Sequence, residues 1–171
     1  MVSALGLDLG AKRIGVAGCD RTGLIATGLM TIKRTSFESV VNPLSQLAED
    51  REVELLVIGM PYTMSGEVGY QAKKIQKFAR RLSEALSLPI EFVDERLTSV
   101  EAKQILIDRR IVPSKDKGLI DRTAAAIILQ QWLDQRRRNQ HKQSQHKQGH
   151  YKQNECADGQ RRDDSHENDP C

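Results

Sequence analysis

Acidic side chains are the groups in this chain whose positions best suit chemistry. Asp8 lies in the apolar segment 4–9, where the alternation of a strand puts three leucines on one face and Asp8 on the other. A charge buried there without a partner would be costly, and the small residues Ala4 and Gly6 leave space beside the carboxylate. Asp8 is therefore a candidate metal ligand. The alternative is a carboxylate that pairs with a Lys or Arg, or that is hydrogen-bonded to the turn at 10–12.

Three more acids are predicted to share this site. Asp94 and Glu95 follow the apolar segment 90–93, at the carboxyl end of a predicted strand, where open α/β sheets form clefts. The alternative for them is an acidic turn that favours the next helix N-terminus. Asp121 shares a helix face with small apolar residues three, four and seven positions later, so it is predicted to point inward and to need a partner. A solvated acid in the first turn would instead gain only ~0.3–1 kcal/mol from the helix dipole.

These acids come from three distant segments that are predicted to meet at one end of a sheet. No histidine precedes residue 141, so the oxygen ligands favour Mg²⁺ or Mn²⁺ over zinc. Such a site would support two-metal phosphodiester cleavage, in which one ion generates hydroxide and the other stabilises the leaving oxygen. The choice between the two neighbouring acids after the strand stays open. The predicted catalytic residues are Asp8, Asp94, Glu95 and Asp121, with Asp8, Glu95 and Asp121 as the predicted metal ligands.

Basic side chains are placed to bind phosphates. Five form one stripe of the helix predicted over 67–86, opposite its apolar stripe, and the alternative for them is an ordinary solvated face. Others follow the first strand, the strand at 90–93 and the helix after it. Cations spread along a cleft fit a nucleic-acid backbone, while no aromatic platform for stacking bases is evident. The predicted nucleic-acid-binding residues are Lys12, Arg13, Lys73, Lys74, Lys77, Arg80, Arg81, Arg96, Arg109 and Arg110.

Composition divides the 171 residues near position 139. Residues 1–138 are predicted to form one folded domain. Residues 139–171 contain no Val, Ile, Leu, Met or Phe and are rich in His, Lys and Gln, so they are predicted to form a disordered polar tail, with metal binding as the weaker alternative.

The net charge of +3 suits a polyanion partner without requiring one. No leader or membrane-spanning run is visible and the three cysteines are widely spaced, so we expect a soluble, intracellular protein without a structural disulfide. The alternative for the cysteines is an intermolecular disulfide through a cysteine of the tail.

The pattern of elements predicts an α/β fold. Short links between the first three strands predict an antiparallel meander, and the last two strands each follow a helix, which predicts parallel additions to the same sheet. The first helix has Ser36 as its predicted N-cap, and Pro43 predicts a kink or a late start. The result is a mixed five-stranded sheet flanked by helices. Strands are predicted at 4–9, 14–19, 24–32, 55–58 and 90–93, and helices at 36–50, 67–86, 98–108 and 119–138.

With these acids and basic residues, the chain resembles the YqgF (RuvX) family of pre-16S rRNA nucleases, also described as Holliday-junction-resolvase-like proteins. The matching segments follow the family order and are 7–17, 57–61, 93–99 and 120–129. The resemblance implies a ribonuclease H-like nuclease domain in 1–138 with the four acids above as its site. It also implies a cytoplasmic role in maturing the 5′ end of pre-16S rRNA. The tail lies outside the resemblance.

One departure concerns the end of the fourth strand. Junction resolvases of this fold place an acid there, whereas this chain reads Gly59-Met60-Pro61. Cleavage of branched DNA is therefore the alternative activity, and non-catalytic binding of nucleic acid or ribosomes is a further one. An actin-like ATP-binding domain, which begins with a similar strand, would need two such lobes. Expected partners are nucleic acid (pre-rRNA, or branched DNA) and ribosomal particles, with no membrane. We expect a monomer or weak homodimer that uses Mg²⁺ or Mn²⁺.

Overall fold

Five strands and three helices make up the described part of the structure, a computed structural model that describes residues 2–61, 69–94 and 117–159, with side chains up to residue 140. The helix predicted at 98–108 lies outside the described residues, as does the start of the helix predicted at 67. In chain order the elements are β1 (Ala4–Leu9), β2 (Arg13–Cys19), β3 (Ala26–Lys33), α1 (Glu38–Asp50), β4 (Leu55–Met60), α2 (Tyr70–Leu86), β5 (Ile90–Asp94) and α3 (Lys117–Gly159).

The strands form one mixed sheet in the order β3-β2-β1-β4-β5. β1 pairs antiparallel with β2, and β2 with β3, because the turns that join them are too short for a crossover. β4 joins β1 in parallel and β5 joins β4 in parallel, because α1 and α2 return the chain to the same end of the sheet. The predicted five-stranded sheet, with three antiparallel and two parallel strands, is confirmed.

The two faces of the sheet pack against different helices. Leu5, Leu7 and Leu9 are buried in one apolar cluster with α1 and α2. Because side chains alternate along β1, Asp8 faces the other side, which packs against the first part of α3. The cluster on that side includes Ala4, Ala17, Val57, Val93, Ile128, Leu129 and Trp132. The predicted separation of Asp8 from the leucines is confirmed.

The first two helices follow their predicted patterns with one shift. The apolar stripe of α2 is buried as predicted. α1 begins at Glu38 and not at Ser36, and Pro43 lies inside it. The Ser36 hydroxyl still makes the capping contact, because it accepts a hydrogen bond from the Ser39 backbone N–H at 3.1 Å.

The last helix is longer than the sequence predicts. α3 continues to Gly159, whereas the sequence predicts an end near Arg138 and a disordered tail from residue 139. Its last buried apolar residue is Leu133 among the side chains described, so the helix beyond has no apolar stripe to bury. Disorder of the tail in solution stays a prediction. The chain divides into two units, Met1–Asp134 and Gln135–Cys171, and the first contains the sheet. No helix of the described residues is long and apolar enough to cross a membrane.

Candidate active site

A glycine brings Asp8 and Asp121 together. In the register of β1 and β2, Asp8 lies directly opposite Gly15, so both residues direct their Cβ positions toward the face that α3 covers. A Cβ added to Gly15 would lie 1.9 Å from the main-chain oxygen of Asp121, so the start of α3 rests directly on this glycine. Cβ atoms of opposite residues in such a pair are ~4.5–5.5 Å apart. The Asp8 carboxylate therefore lies beside the first turns of α3.

Further contacts hold α3 at this short distance from the sheet. A Cβ added to Gly6, two residues before Asp8 on the same face, would lie 2.6 Å from the Cβ of Leu129. At the start of the helix, the Thr31 hydroxyl donates a hydrogen bond to the carbonyl oxygen of Gly118 at 2.7 Å. The helix is thus held at the middle and at the carboxyl end of β1, and the position of Asp121 is set by the packing of the whole segment.

Asp121 points inward as predicted, and its partner is an arginine. The Nε of Arg13 donates to Oδ2 of Asp121 at 2.6 Å, a charge-assisted hydrogen bond. The Asp121 side chain is 19% exposed and that of Arg13 is 35% exposed. The sequence assigns Arg13 only to nucleic-acid binding, because nothing local connects residues 108 positions apart.

The two acids after β5 must be treated separately. Val93 packs in the cluster on the α3 side, so the alternation of β5 places Asp94 on the α1 and α2 side. Asp94 pairs in register with Met60 and is exposed. It therefore lies two strands away from Asp8 and on the opposite face of the sheet. Glu95 lies outside the described residues.

The donors at this end of the sheet fit a hard divalent cation. Asp8 and Asp121 offer carboxylate oxygens, and every histidine of the chain lies at or beyond residue 141. Within 2–61, 69–94 and 117–140, no group of three or more His, Cys, Asp or Glu side chains could hold a metal ion. A metal site that includes Asp8 and Asp121 therefore stays a prediction.

Comparison with known proteins identifies the family. The family model described as "RuvX: Holliday junction resolvase" matches residues 2–135. The chain belongs to the RuvX family. Relatives with the name "Putative pre-16S rRNA nuclease" include those of Crocosphaera subtropica, 66% identical over 136 residues, and Trichormus variabilis, 60% identical over 138 residues. These matches cover 80% and 81% of this chain, and 95% and 91% of the two relatives. The predicted family is confirmed.

Solved structures with a similar backbone agree with the fold expected of a RuvX chain. RuvC of T. thermophilus, in complex with a Holliday junction substrate, has a TM-score of 0.51 at 14% identity, over 80% of this chain and 96% of that one. The resolvase of Fowlpox virus, in complex with Holliday junction DNA, has a TM-score of 0.50 at 10% identity, over 78% and 98%. At such identities the likeness concerns the fold alone. It confirms the predicted ribonuclease H-like fold.

The basic residues of this RuvX chain are divided between the two sides of the sheet. Lys12 is exposed in the turn after β1, at the end that carries Asp8. All five basic residues on α2 are exposed, as their spacing predicts, but α2 packs on the face opposite Asp8. The first turns of α2 nevertheless reach the carboxyl end of β1, where Lys74 lines a cavity with Leu9. Outside the described residues lie Arg96, Arg109 and Arg110.

Two residues that the sequence analysis does not single out lie at this same end. Arg34 supports the turn between β1 and β2, because its Nη1 donates to the Gly10 carbonyl at 3.3 Å and its backbone N–H donates to the Lys12 carbonyl at 2.9 Å. Tyr70, the first residue of α2, is 76% exposed. The signal for Arg34 was its place directly after β3, because a three-stranded meander brings that position back beside the first turn.

Proposed function

We propose that this protein is a metal-dependent endonuclease of the cytoplasm that hydrolyses phosphodiester bonds in the 5′-end processing of pre-16S rRNA. The observation that carries the proposal is the contact of the Asp121 main chain with Gly15, which seats Asp121 beside Asp8 at the carboxyl end of the central strand. Membership of the RuvX family supports nuclease activity. The names of relatives that are 60% and 66% identical support pre-16S rRNA as the substrate.

In this proposal Asp8, Asp121 and Glu95 hold Mg²⁺ or Mn²⁺. The bound metal supplies Lewis acidity for an attacking water and for the leaving oxygen. The chain supplies rigidity, because β1 is paired on both sides and cannot move Asp8 without breaking the sheet. The Arg13 guanidinium holds the Asp121 carboxylate in one orientation and keeps a positive charge beside the site for the scissile phosphate.

We assign the third ligand to Glu95 and not to Asp94. Asp94 lies on the face of the sheet opposite Asp8, as its neighbour Val93 packs toward α3. Glu95 is the other acid that the sequence analysis names on this third segment, and we propose it as the remaining carboxylate ligand.

The substrate strand is proposed to cross the carboxyl end of β1. Lys12 and Arg13 flank this end in the turn and at the start of β2, and Lys73 and Lys74 follow at the start of α2. Cations along such a path suit a phosphate backbone, and their number sets how steeply binding falls with salt. Ribosomal particles are proposed partners because they carry the rRNA. A monomer or weak homodimer remains our expectation.

Cleavage of four-way DNA junctions is the second candidate function. The description of the family favours it, and the two similar folds reported above were solved with such junctions. The end of β4 argues against it, because Gly59 and Met60 are buried and offer no carboxylate where resolvases of this fold place an acid.

The decisive experiment offers both substrates to the purified full-length protein. A pre-16S rRNA with its 5′ leader and a four-way DNA junction are incubated with Mg²⁺, Mn²⁺ or EDTA, and the products are mapped on sequencing gels. We expect metal-dependent cuts in the leader. Asp8→Asn should lower the rate by roughly 100-fold or more, while RNA binding in EDTA stays within about threefold. Asp50→Asn, the same change at the far end of the sheet, is the matched control.

Each outcome of this experiment has a meaning. Cleavage of the junction alone would favour the second candidate function. Cleavage of neither substrate with either metal would overturn the enzyme and leave a protein that only binds nucleic acid. Cleavage in EDTA, or by Asp8→Asn at the native rate, would show that the carboxylates are not the source of activity.

A further inference from the structure

A cavity of about 570 Å³ opens at the carboxyl end of β1, on the side of the sheet opposite Asp8. Its apolar wall is formed by Leu9, Ile75 and Phe78. Cavities that bind small organic groups have volumes of roughly 300–1,000 Å³ and combine apolar walls with a few polar groups. This cavity has that character, because its rim carries the basic and aromatic side chains of Arg34, Tyr70 and Lys74.

Tyr70 presents an aromatic ring to solvent at the edge of this cavity. The residue is 76% exposed, and its side chain combines a large apolar ring with a polar hydroxyl. The Nζ of Lys74 lies 4.4 Å from the centre of the ring, so the cation takes one ring face. The arrangement suits a second flat group on the other face. Stacking of a nucleobase on an exposed aromatic ring is worth ~1–3 kcal/mol per base and tolerates any sequence.

Arg34 supplies a second cation in the lining of the cavity. Its guanidinium carbon lies 4.0 Å from the centre of the Phe78 ring, and its Nη1 donates to the Gly10 carbonyl. These two contacts orient a planar group that has five N–H donors in total. A phosphate that enters between Arg34 and Lys74 would find two positive charges, one of them held in place before binding.

The location connects this cavity to the proposed active site. Leu9 lines the cavity and follows Asp8 directly, so the two features lie on opposite faces of the same strand end. The turn that joins β1 to β2 lies between them, and Ala11 of this turn lines the cavity. A strand with its scissile phosphate at Asp8 would place a neighbouring nucleotide near Tyr70 after it crosses the turn.

We propose that this cavity is a subsite for one unpaired nucleotide of the substrate strand, with the base on Tyr70 and its phosphate between Lys74 and Arg34. The inference deepens the proposed nuclease function and rests on it for the identity of the strand. It also revises the view from sequence that no stacking platform exists. A single tyrosine carries no periodic signal, and only the fold brings it to the same cavity as Arg34.

The test measures binding of a fluorescein-labelled single-stranded RNA of about 12 nucleotides to the full-length protein in EDTA, by fluorescence anisotropy. Tyr70→Ala should weaken binding by roughly 5- to 150-fold, which corresponds to the loss of one stacked base. Tyr70→Phe keeps the ring and should bind within about twofold of the native protein. Lys74→Met should weaken binding and reduce the salt dependence by about 0.7 in log–log slope. Lys33→Met removes a similar charge outside the cavity and is the matched control.

The subsite is overturned if Tyr70→Ala binds the single strand as the native protein does, or if Tyr70→Phe loses as much affinity as Tyr70→Ala. A blunt duplex of the same sequence is the second probe, and its binding should not depend on Tyr70. If Tyr70→Ala weakens binding of the duplex as much as binding of the single strand, the occupant is not an unpaired nucleotide and the proposal is overturned. Cleavage assays separate the two proposals. If the native protein cleaves the leader but RNA binding does not depend on Tyr70, the subsite is overturned and the nuclease function is not. If RNA binding depends on Tyr70 but neither substrate is cleaved, the nuclease function is overturned and the subsite is not.

Discussion

Arg13 and Asp121 join the start of β2 to the start of α3 through one hydrogen bond of 2.6 Å between Nε and Oδ2. Both residues lie at the end of the sheet that carries Asp8, and the pair is partly withdrawn from water. A charge-assisted bond in such a place is stronger than a pair between exposed side chains. Asp121 is also a proposed metal ligand. A divalent cation would therefore share this carboxylate with the guanidinium.

The shared carboxylate predicts an effect of Arg13→Met on metal binding. A unit charge at ~4 Å contributes about 1 kcal/mol in water, and a divalent ion feels about twice that repulsion from the guanidinium. We expect Arg13→Met to tighten Mn²⁺ binding by roughly tenfold in isothermal titration calorimetry. The free energy of unfolding should fall by about 1–3 kcal/mol, because Asp121 loses this hydrogen bond. Arg21→Met, in the exposed turn after β2, is the matched control. Weaker Mn²⁺ binding by Arg13→Met would contradict the prediction.

The close approach of α3 to the sheet predicts the cost of a methyl group at position 15. In Gly15→Ala the new Cβ would meet the main-chain carbonyl of Asp121, which cannot rotate away. We expect the free energy of unfolding to fall by about 3 kcal/mol in urea denaturation, at the upper end of overpacking costs, and cleavage to fall with it because Asp121 is displaced. Gly18→Ala is the control on the same strand. Its Cβ would meet the ends of the Leu29 and Arg51 side chains, so its cost should be about 1 kcal/mol. Equal losses of unfolding free energy in the two variants would show that α3 can move away from position 15 at little cost, and would contradict the prediction.

The two acids after β5 are predicted to differ in metal binding. Glu95→Gln should weaken Mn²⁺ binding by roughly tenfold or more, because it removes a proposed ligand. Asp94→Asn should change it by less than about threefold, because Asp94 lies on the opposite face of the sheet from Asp8. Both values come from calorimetric titration of the full-length protein with Mn²⁺. The reverse order of effects would transfer the third ligand to Asp94.

Asp20 is predicted to titrate at unusually low pH. Hydrogen bonds from the backbone N–H of Ile25, the Thr22 hydroxyl and the backbone N–H of Leu24 lower the pKa of Asp20 from 3.8 to about 2. Because the folded pKa is below the unfolded one, the stability that this carboxylate contributes is fully present above about pH 4 and is lost as the pH falls toward about 2. A carbon-detected NMR titration should give a midpoint near 2. Thr22→Ala should raise the midpoint, and an unchanged midpoint would contradict the role of the hydroxyl.

The last part of the chain is predicted to be dispensable for cleavage. A protein that ends at Arg138 keeps the residues that the family model matches and every described apolar contact of α3 with the sheet. The removed segment contains no Val, Ile, Leu, Met or Phe, and a helix without an apolar face is marginal in water, so the segment should contribute little to stability. We expect the cleavage rate to stay within about twofold of that of the full-length protein. The urea midpoint of unfolding should be unchanged within the error of the measurement. A protein that ends at Ile128 loses Trp132 and Leu133 from the core and should fail to fold. Loss of activity in the longer protein would reveal a contact from the tail.

Much of the fold follows from local pattern. Alternation in 4–9 predicts β1 and the face of Asp8, because the period of a strand is a property of each residue and its neighbours. The helical spacing of the apolar residues on α2 predicts which side is buried. The length of α3 does not follow, because the residues after Leu133 mix good helix formers (Gln, Lys, Arg) with poorer ones (Asn, His, Gly), and no apolar pattern marks them as helix. Local pattern also does not predict which face of the sheet each helix covers. For that reason the sequence does not reveal that the basic residues of α2 and Asp8 lie on opposite faces.

For the site, the sequence by itself determines that Asp8 leaves the leucine face and that Asp121 turns inward with a need for a partner. It also carries the family pattern that points to a nuclease. The tertiary structure alone decides that Arg13 is that partner, that α3 rests on Gly15, and that Arg34 and Tyr70 line one cavity. The reason is physical. Alternation and capping are local, whereas these contacts join residues that only the crossover and packing of whole elements bring together.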